Sequence, residues 1–249
     1  MTERVEKVAT SAGMMETFIA VPDIPPRGAV ILYMDVWGVR EELRAIARGV
    51  AANDYLCLLP DLYYRQGRIR QQFVDEKGLM RSLHSLTEDE QERVRGPMRS
   101  LTDEMVMGDT RALLSFMDDT LRCIGAVGYC MGGRHALLAG GSFPGRIHVA
   151  ACLHGSNLVN ETASSPHVIG STATGEIYCA FAEHDPFGSA DVRARLQSQC
   201  ASTGARLTSV VHPGAYHGYA LPERDVYNQE ATERDWAQIY AMLSHAEQK

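Results

Sequence analysis

Cys123-Ile124-Gly125-Ala126-Val127-Gly128-Tyr129-Cys130-Met131-Gly132-Gly133 is the stretch on which the reading of this chain turns. A short apolar run ends in Gly-x-Cys-x-Gly, and a small-residue segment, 134–139, follows it. That order predicts a strand, a sharp turn and a helix: a nucleophile elbow with a thiol where a serine usually stands. Glycines on either side of Cys130 remove the Cβ atoms that so tight a turn would bring into collision. The side chain is then presented above the sheet, and the N–H that follows it is free to meet an oxyanion at a helix N-terminus. The competing reading of the same residues is a glycine-rich turn around a buried structural cysteine.

Working outward, apolar runs recur at 29–34, 56–59, 124–129, 149–153, 177–181 and 207–211. They are near-continuous rather than alternating, the pattern of parallel strands covered on both faces. Residues 14–21 read as an antiparallel edge strand. Between the runs lie helical candidates at 41–53, 103–118, 132–141, 189–203 and 225–246. Strands alternating with helices predict an α/β fold with a mostly parallel, doubly wound sheet and flanking helices. Residues 63–101 are polar and arginine-rich and are too long for a plain connection, so they read as a partly helical cover near the site. With no repeat and no linker, residues 1–249 read as one domain.

The chain has 249 residues, 45% of them hydrophobic, and a net charge of −7, which gives no reason to expect nucleic acid or an anionic membrane surface as partner. No apolar run is long enough to span a bilayer, and residues 1–7 do not resemble a secretory leader. The six cysteines form no C-x-x-C pair, and Cys57, Cys152 and Cys179 sit within apolar runs as buried free thiols. These features predict a cytoplasmic protein. The histidines fall in no metal-binding pattern, so neither metal nor organic cofactor is expected.

A thiol in an elbow needs a base, and the base needs an orienting partner. The order nucleophile, acid, histidine places the last two on loops after later strands. The segment 182–186, Ala-Glu-His-Asp-Pro, follows one run, and 212–219, His-Pro-Gly-Ala-Tyr-His-Gly-Tyr, follows the next. His217 is the candidate base and Asp185 the candidate orienter. Their rivals are His212, which is close to the strand end, and Glu183; His184 reads as a neighbour. His154, after the run 149–153, is placed to line a pocket. Trp37, Tyr64 and Tyr219 are candidate pocket walls, and Tyr33 reads as core.

Gly128-Tyr129-Cys130-Met131-Gly132-Gly133, Pro60-Asp61-Leu62-Tyr63 and Asp35-Val36-Trp37-Gly38-Val39 together resemble the dienelactone hydrolase family, in order along nearly the whole chain. The resemblance implies an α/β-hydrolase fold, a Cys-His-Asp triad and opening of a lactone produced in the breakdown of aromatic compounds. It implies oxyanion donors at the N–H groups of Val36 and Met131. It also implies an acid that acts on the thiol, usually Glu, at the position of Asp35, where the reach is about 1.5 Å shorter. Members that act on dienelactone carry an Arg four residues after the triad His, where this chain has Leu221. Arg224 replaces it only if the loop bends back. Arg81 is near the spacing of a second family arginine. The cover arginines (Arg65, Arg68, Arg70, Arg81, Arg93, Arg95, Arg99) could clamp a carboxylate, but most read as a solvated helix face interleaved with acids.

The expected ligand is a small-molecule ester or lactone; the sequence does not specify an oligomeric state. The alternatives are a carboxylesterase or thioesterase of broad acyl specificity, and a non-catalytic redox-thiol sensor.

Overall fold

The computed structural model describes residues 1–67, 69, 72–118 and 120–248. The strands are β1 (Thr2–Thr10), β2 (Gly13–Val21), β3 (Gly28–Tyr33), β4 (Tyr55–Pro60), β5 (Ile124–Tyr129), β6 (Val149–Leu153), β7 (Glu176–His184) and β8 (Arg206–Tyr216). They form one sheet in the order β1-β2-β4-β3-β5-β6-β7-β8. β2 runs antiparallel to both β1 and β4, and the remaining pairs are parallel. Every residue of β3, β5 and β6 is buried, which is why these runs carry no alternation.

The helices are α1 (Glu41–Ala52), α2 (Glu88–Arg99), α3 (Asp103–Phe116), α4 (Met131–Ser142), α5 (Pro166–Gly170), α6 (Ala190–Thr203) and α7 (Gln229–Ala246). Three elements differ from expectation. Residues 14–21 are not the edge of the sheet, because β1 lies outside them; β1 is largely exposed, with Val8 its one buried residue, so it has no apolar run to read. α2 lies within the cover and is started by a capping box, in which Thr87 accepts from the Glu90 N–H and Glu90 accepts from the Thr87 N–H. α5 is a single short turn.

The strand order reverses between β3 and β5, which are neighbours although β4 lies between them in sequence. At such a switch point the loops leaving the two strands diverge and open a crevice. Asp35 follows β3, Cys130 follows β5, and the loops after β6, β7 and β8 open on the same carboxyl edge. The cover closes over it. Met80 donates its N–H to the Glu223 carbonyl (2.7 Å), and Asp225 accepts from the N–H (2.9 Å) and hydroxyl (2.6 Å) of Ser82. Beneath the cover a small apolar cluster joins Val36 and Trp37 to Met80, Leu86 and Val94. Among the described residues no helix is long and apolar enough to cross a membrane.

Candidate active site

Cys130 stands between β5 and α4 with φ 54° and ψ −115°, a conformation that L-residues rarely hold. Close packing enforces the flanking glycines. A Cβ on Gly128 would lie 2.0 Å from the Gly132 carbonyl oxygen, and one on Gly132 would lie 2.4 Å from that of Tyr33. The elbow is thus wedged against the end of β3. Met131 opens α4, so its N–H is one of those a helix leaves without an internal partner. Val36 lines the same cavity as Cys130, in a turn closed by the Gly38 N–H donating to the Asp35 carbonyl (3.2 Å). The buried Tyr63 hydroxyl donates to the Val36 carbonyl (3.0 Å) and braces this loop. The PDLY motif signalled Tyr63, but sequence reasoning gave it no task.

His217 Nδ1 pairs with Asp185 Oδ2 at 2.8 Å, with the Asp185 side chain fully buried. Asp185 Oδ1 accepts from the Phe187 N–H (2.8 Å), so the carboxylate is fixed by its own loop. The other nitrogen of His217, Nε2, is buried and has no hydrogen-bond partner among the described residues; the Cys130 sulfur, whose thiol donates to Ser156 Oγ (3.8 Å), is near enough to act on its charge. Burial opposes charging the imidazole. The sulfur and the Asp185 hydrogen bond outweigh burial and raise it from its ordinary 6.5 to about 10. The rivals have other tasks. Glu183 accepts from the Gly214 N–H (2.7 Å), and His212 pairs with the fully buried Asp235 (2.7 Å).

A cavity of about 410 Å³ opens over Cys130 and His217, with Asp35, Trp37, Phe187 and Arg224 in its walls. His154 is fully buried at its edge. Its φ of 38° is unusual for a non-glycine residue, and its ring meets that of His217 edge-on at 5.0 Å. Neither ring nitrogen has a hydrogen-bond partner among the described residues. Burial, with His217 and Arg224 nearby, holds it far below the usual histidine value, so it is neutral.

Three expected wall residues lie elsewhere. Tyr64 sits on the turn after Tyr63 and faces β1 and α3, bonding Thr10 (2.6 Å) and Asp109 (3.0 Å). Arg81 is turned into the cover, bonded to the Ser85 carbonyl and 3.9 Å from Glu90. Tyr219 is fully buried behind His154, its hydroxyl on Asp235. Leu221 is fully buried, but the chain turns at 221–224, with the Arg224 N–H donating to the Leu221 carbonyl (3.1 Å), and carries Arg224 into the cavity wall. Arg224 lies 3.7 Å from Asp35 and over the Trp37 ring. From the cover, Arg95 and His84 reach the cavity; Arg65 pairs with Asp109 and Arg99 with Glu92, while Arg68 and Arg70 lie outside the described residues.

A protein of Methylorubrum extorquens provisionally named carboxymethylenebutenolidase is 25% identical, over 94% of this chain and 77% of its own. A similarly named protein of Saccharolobus solfataricus is 23% identical, over 92% and 93%. Among solved structures, one from Klebsiella pneumoniae provisionally named dienelactone hydrolase superposes with a TM-score of 0.82 at 20% identity, covering 98% of each chain, and so shares the fold. The sequence profile of the dienelactone hydrolase family matches residues 15–247. The chain therefore belongs to the dienelactone hydrolase family and is a hydrolase acting on esters or lactones.

Proposed function

We propose that the protein opens a lactone, or cleaves an ester, by thiolate attack from Cys130, with His217 as base and Asp185 as its orienter. The observation that carries this reading is the strained Cys130 on the same cavity as a histidine whose far nitrogen is paired to a buried carboxylate. His217 takes the thiol proton, and the thiolate adds to the carbonyl carbon. The N–H groups of Val36 and Met131 receive the charge on the carbonyl oxygen; one such donor contributes roughly 3–4 kcal/mol. The C–O bond breaks, with the His217 proton passing to the leaving oxygen, and a thioester remains. Water, deprotonated by His217, then releases the acid and restores the thiol. In a lactone the leaving hydroxyl stays tethered, so one ring-opened acid is the product. Trp37 and Phe187 offer apolar walls, and Arg224 offers a charge for a carboxylate on the acyl part. A role in the breakdown of aromatic compounds in the cytoplasm fits such a substrate.

The experiment is hydrolysis of cis- and trans-dienelactone, a substituted muconolactone and p-nitrophenyl acetate by wild type and Cys130→Ala. The expected result is lactone opening by the wild type and none by the variant. Cleavage of the nitrophenyl ester alone would leave a general esterase. Equal activity of the two proteins would remove Cys130 as nucleophile.

A further inference from the structure

We infer that the site prefers esters whose alcohol part carries an aromatic ring, and that this ring rests on an exposed ledge formed by Phe187, Tyr216 and His184. The preference follows from the role proposed for His217: a base that hands its proton to the leaving oxygen holds the leaving group beside itself. The Phe187 ring lies 5.2 Å from the His217 ring, so what the alcohol carries beyond its oxygen falls on this side of the cavity.

All three ledge residues line the cavity, yet all three are left in solvent. Phe187 is 37% exposed and Tyr216 50%, and the His184 side chain is 51% exposed. Single exposed apolar side chains are ordinary on a protein surface; several at the mouth of one cavity mark a place where a ligand is covered. His184 and Phe187 flank Asp185 by one and two residues, and Tyr216 precedes His217, so the ledge is built on the two loops that carry the orienter and the base.

Local structure fixes the rings. The Phe187 N–H is held by Asp185, and Gly188 packs on the buried Phe181, where an added Cβ would lie 2.9 Å from the ring. The core beneath this turn is therefore filled, and the Phe187 ring stays outside it. β7 and β8 run in register as far as Ala182 and His212 and then slip, so that His184 comes to face Tyr216. A slip of this kind re-aims side chains beside a site. It sets the two rings 4.7 Å apart with their planes inclined by 35°. The cover brings the polar His84, Gln91 and Arg95 to the cavity, whereas the ledge brings rings and Pro186. Rings already held in place offer faces and edges to another flat ring at little entropic cost. In a lactone the same place is taken by an aryl substituent on the carbon that bears the ring oxygen.

The test is kcat/KM of wild type and Tyr216→Ser on ethyl acetate, benzyl acetate, cyclohexylmethyl acetate and methyl phenylacetate, followed by titration of the acid released. The three alcohols of the acetates differ little as leaving groups, so differences among them report contact with the protein. Benzyl acetate is expected to exceed ethyl acetate by about tenfold, mainly through KM, and to exceed cyclohexylmethyl acetate as well. Methyl phenylacetate, with its ring on the acyl side, is expected to show no such gain. Tyr216 is half-exposed, so its replacement leaves the core intact, and Tyr216→Ser is expected to lower the ratio of benzyl to ethyl acetate several-fold. No cleavage of benzyl acetate, a ratio near one, a cyclohexylmethyl ester as good as the benzyl ester, a lead for methyl phenylacetate, or an unchanged ratio in Tyr216→Ser would each overturn the ledge. Cys130→Ala run beside them separates the two readings: a variant that stays active with the same ratio would sink the nucleophile and keep the ledge, whereas a dead variant beside a wild-type ratio near one would sink the ledge alone.

Discussion

At the residue scale the site depends on two glycines and a pair of side chains. Gly132 lets α4 press against the end of β3, and a methyl group there meets the carbonyl oxygens of Tyr33 (2.4 Å) and Met34 (2.5 Å). Neither oxygen belongs to a flexible side chain, so the backbone itself must move. Gly132→Ala is expected to lower stability by about 3 kcal/mol, measured by urea unfolding, and to displace the Met131 N–H. Asp185→Asn keeps the shape of the orienter but reverses the tautomer of His217. Its kcat is expected to fall by about 10³-fold or more on p-nitrophenyl acetate, with the protein still folded. A loss below about tenfold would mean that Asp185 does not set the imidazole.

At the scale of elements, the cover and the histidine loop are pinned together. Asp225 takes two hydrogen bonds from Ser82, and Met80 adds backbone bonds on either side. Hydrogen bonds to a charged group contribute about 1.5–3 kcal/mol each when buried, less when half-exposed. Asp225→Ala is therefore expected to loosen the cover, raising KM several-fold with a smaller change in kcat, and to quicken proteolysis within residues 72–101. An unchanged KM would show that the cover does not shape the cavity. The core strands were legible because burial on both faces writes an apolar run into the sequence, as in 124–129. β1 was not, because an exposed edge strand writes none. Cys130, Asp185 and His217 could be picked out as candidates because each follows a strand on the same sheet edge. Tyr64 and Arg81 were misplaced because the direction of a side chain leaving an irregular segment depends on distant partners: Asp109 for Tyr64, Glu90 for Arg81. Arg224 depends on a loop turn, which leaves no periodic trace.

At the scale of the molecule, the groups that build the site also set how stability varies with pH. His217 is raised to about 10 in the folded chain, above its ordinary 6.5, so folding tightens its hold on a proton. The stability that this supplies is complete below about pH 6.5 and is lost as pH climbs toward 10. Asp103 works in the opposite sense. Burial opposes its charge, but the His135 ring 3.6 Å away and the Arg134 guanidinium bonded to it outweigh burial and hold the carboxyl well below its usual range. Its contribution is present above its ordinary 3.8 and is lost as pH falls below it. The first group joins the loops after β7 and β8, and the second joins the start of α3 to α4, so one supports the base and the other the helix behind the elbow. Urea midpoints of wild type, His217→Asn and Asp103→Asn measured against pH should separate them. The gap between wild type and His217→Asn should be widest in mild acid and close in alkali; the gap for Asp103→Asn should hold at neutrality and close in acid. A His217 gap that widened toward alkali would mean that folding weakens the proton on that imidazole, and the thiolate–imidazolium arrangement would fall with it.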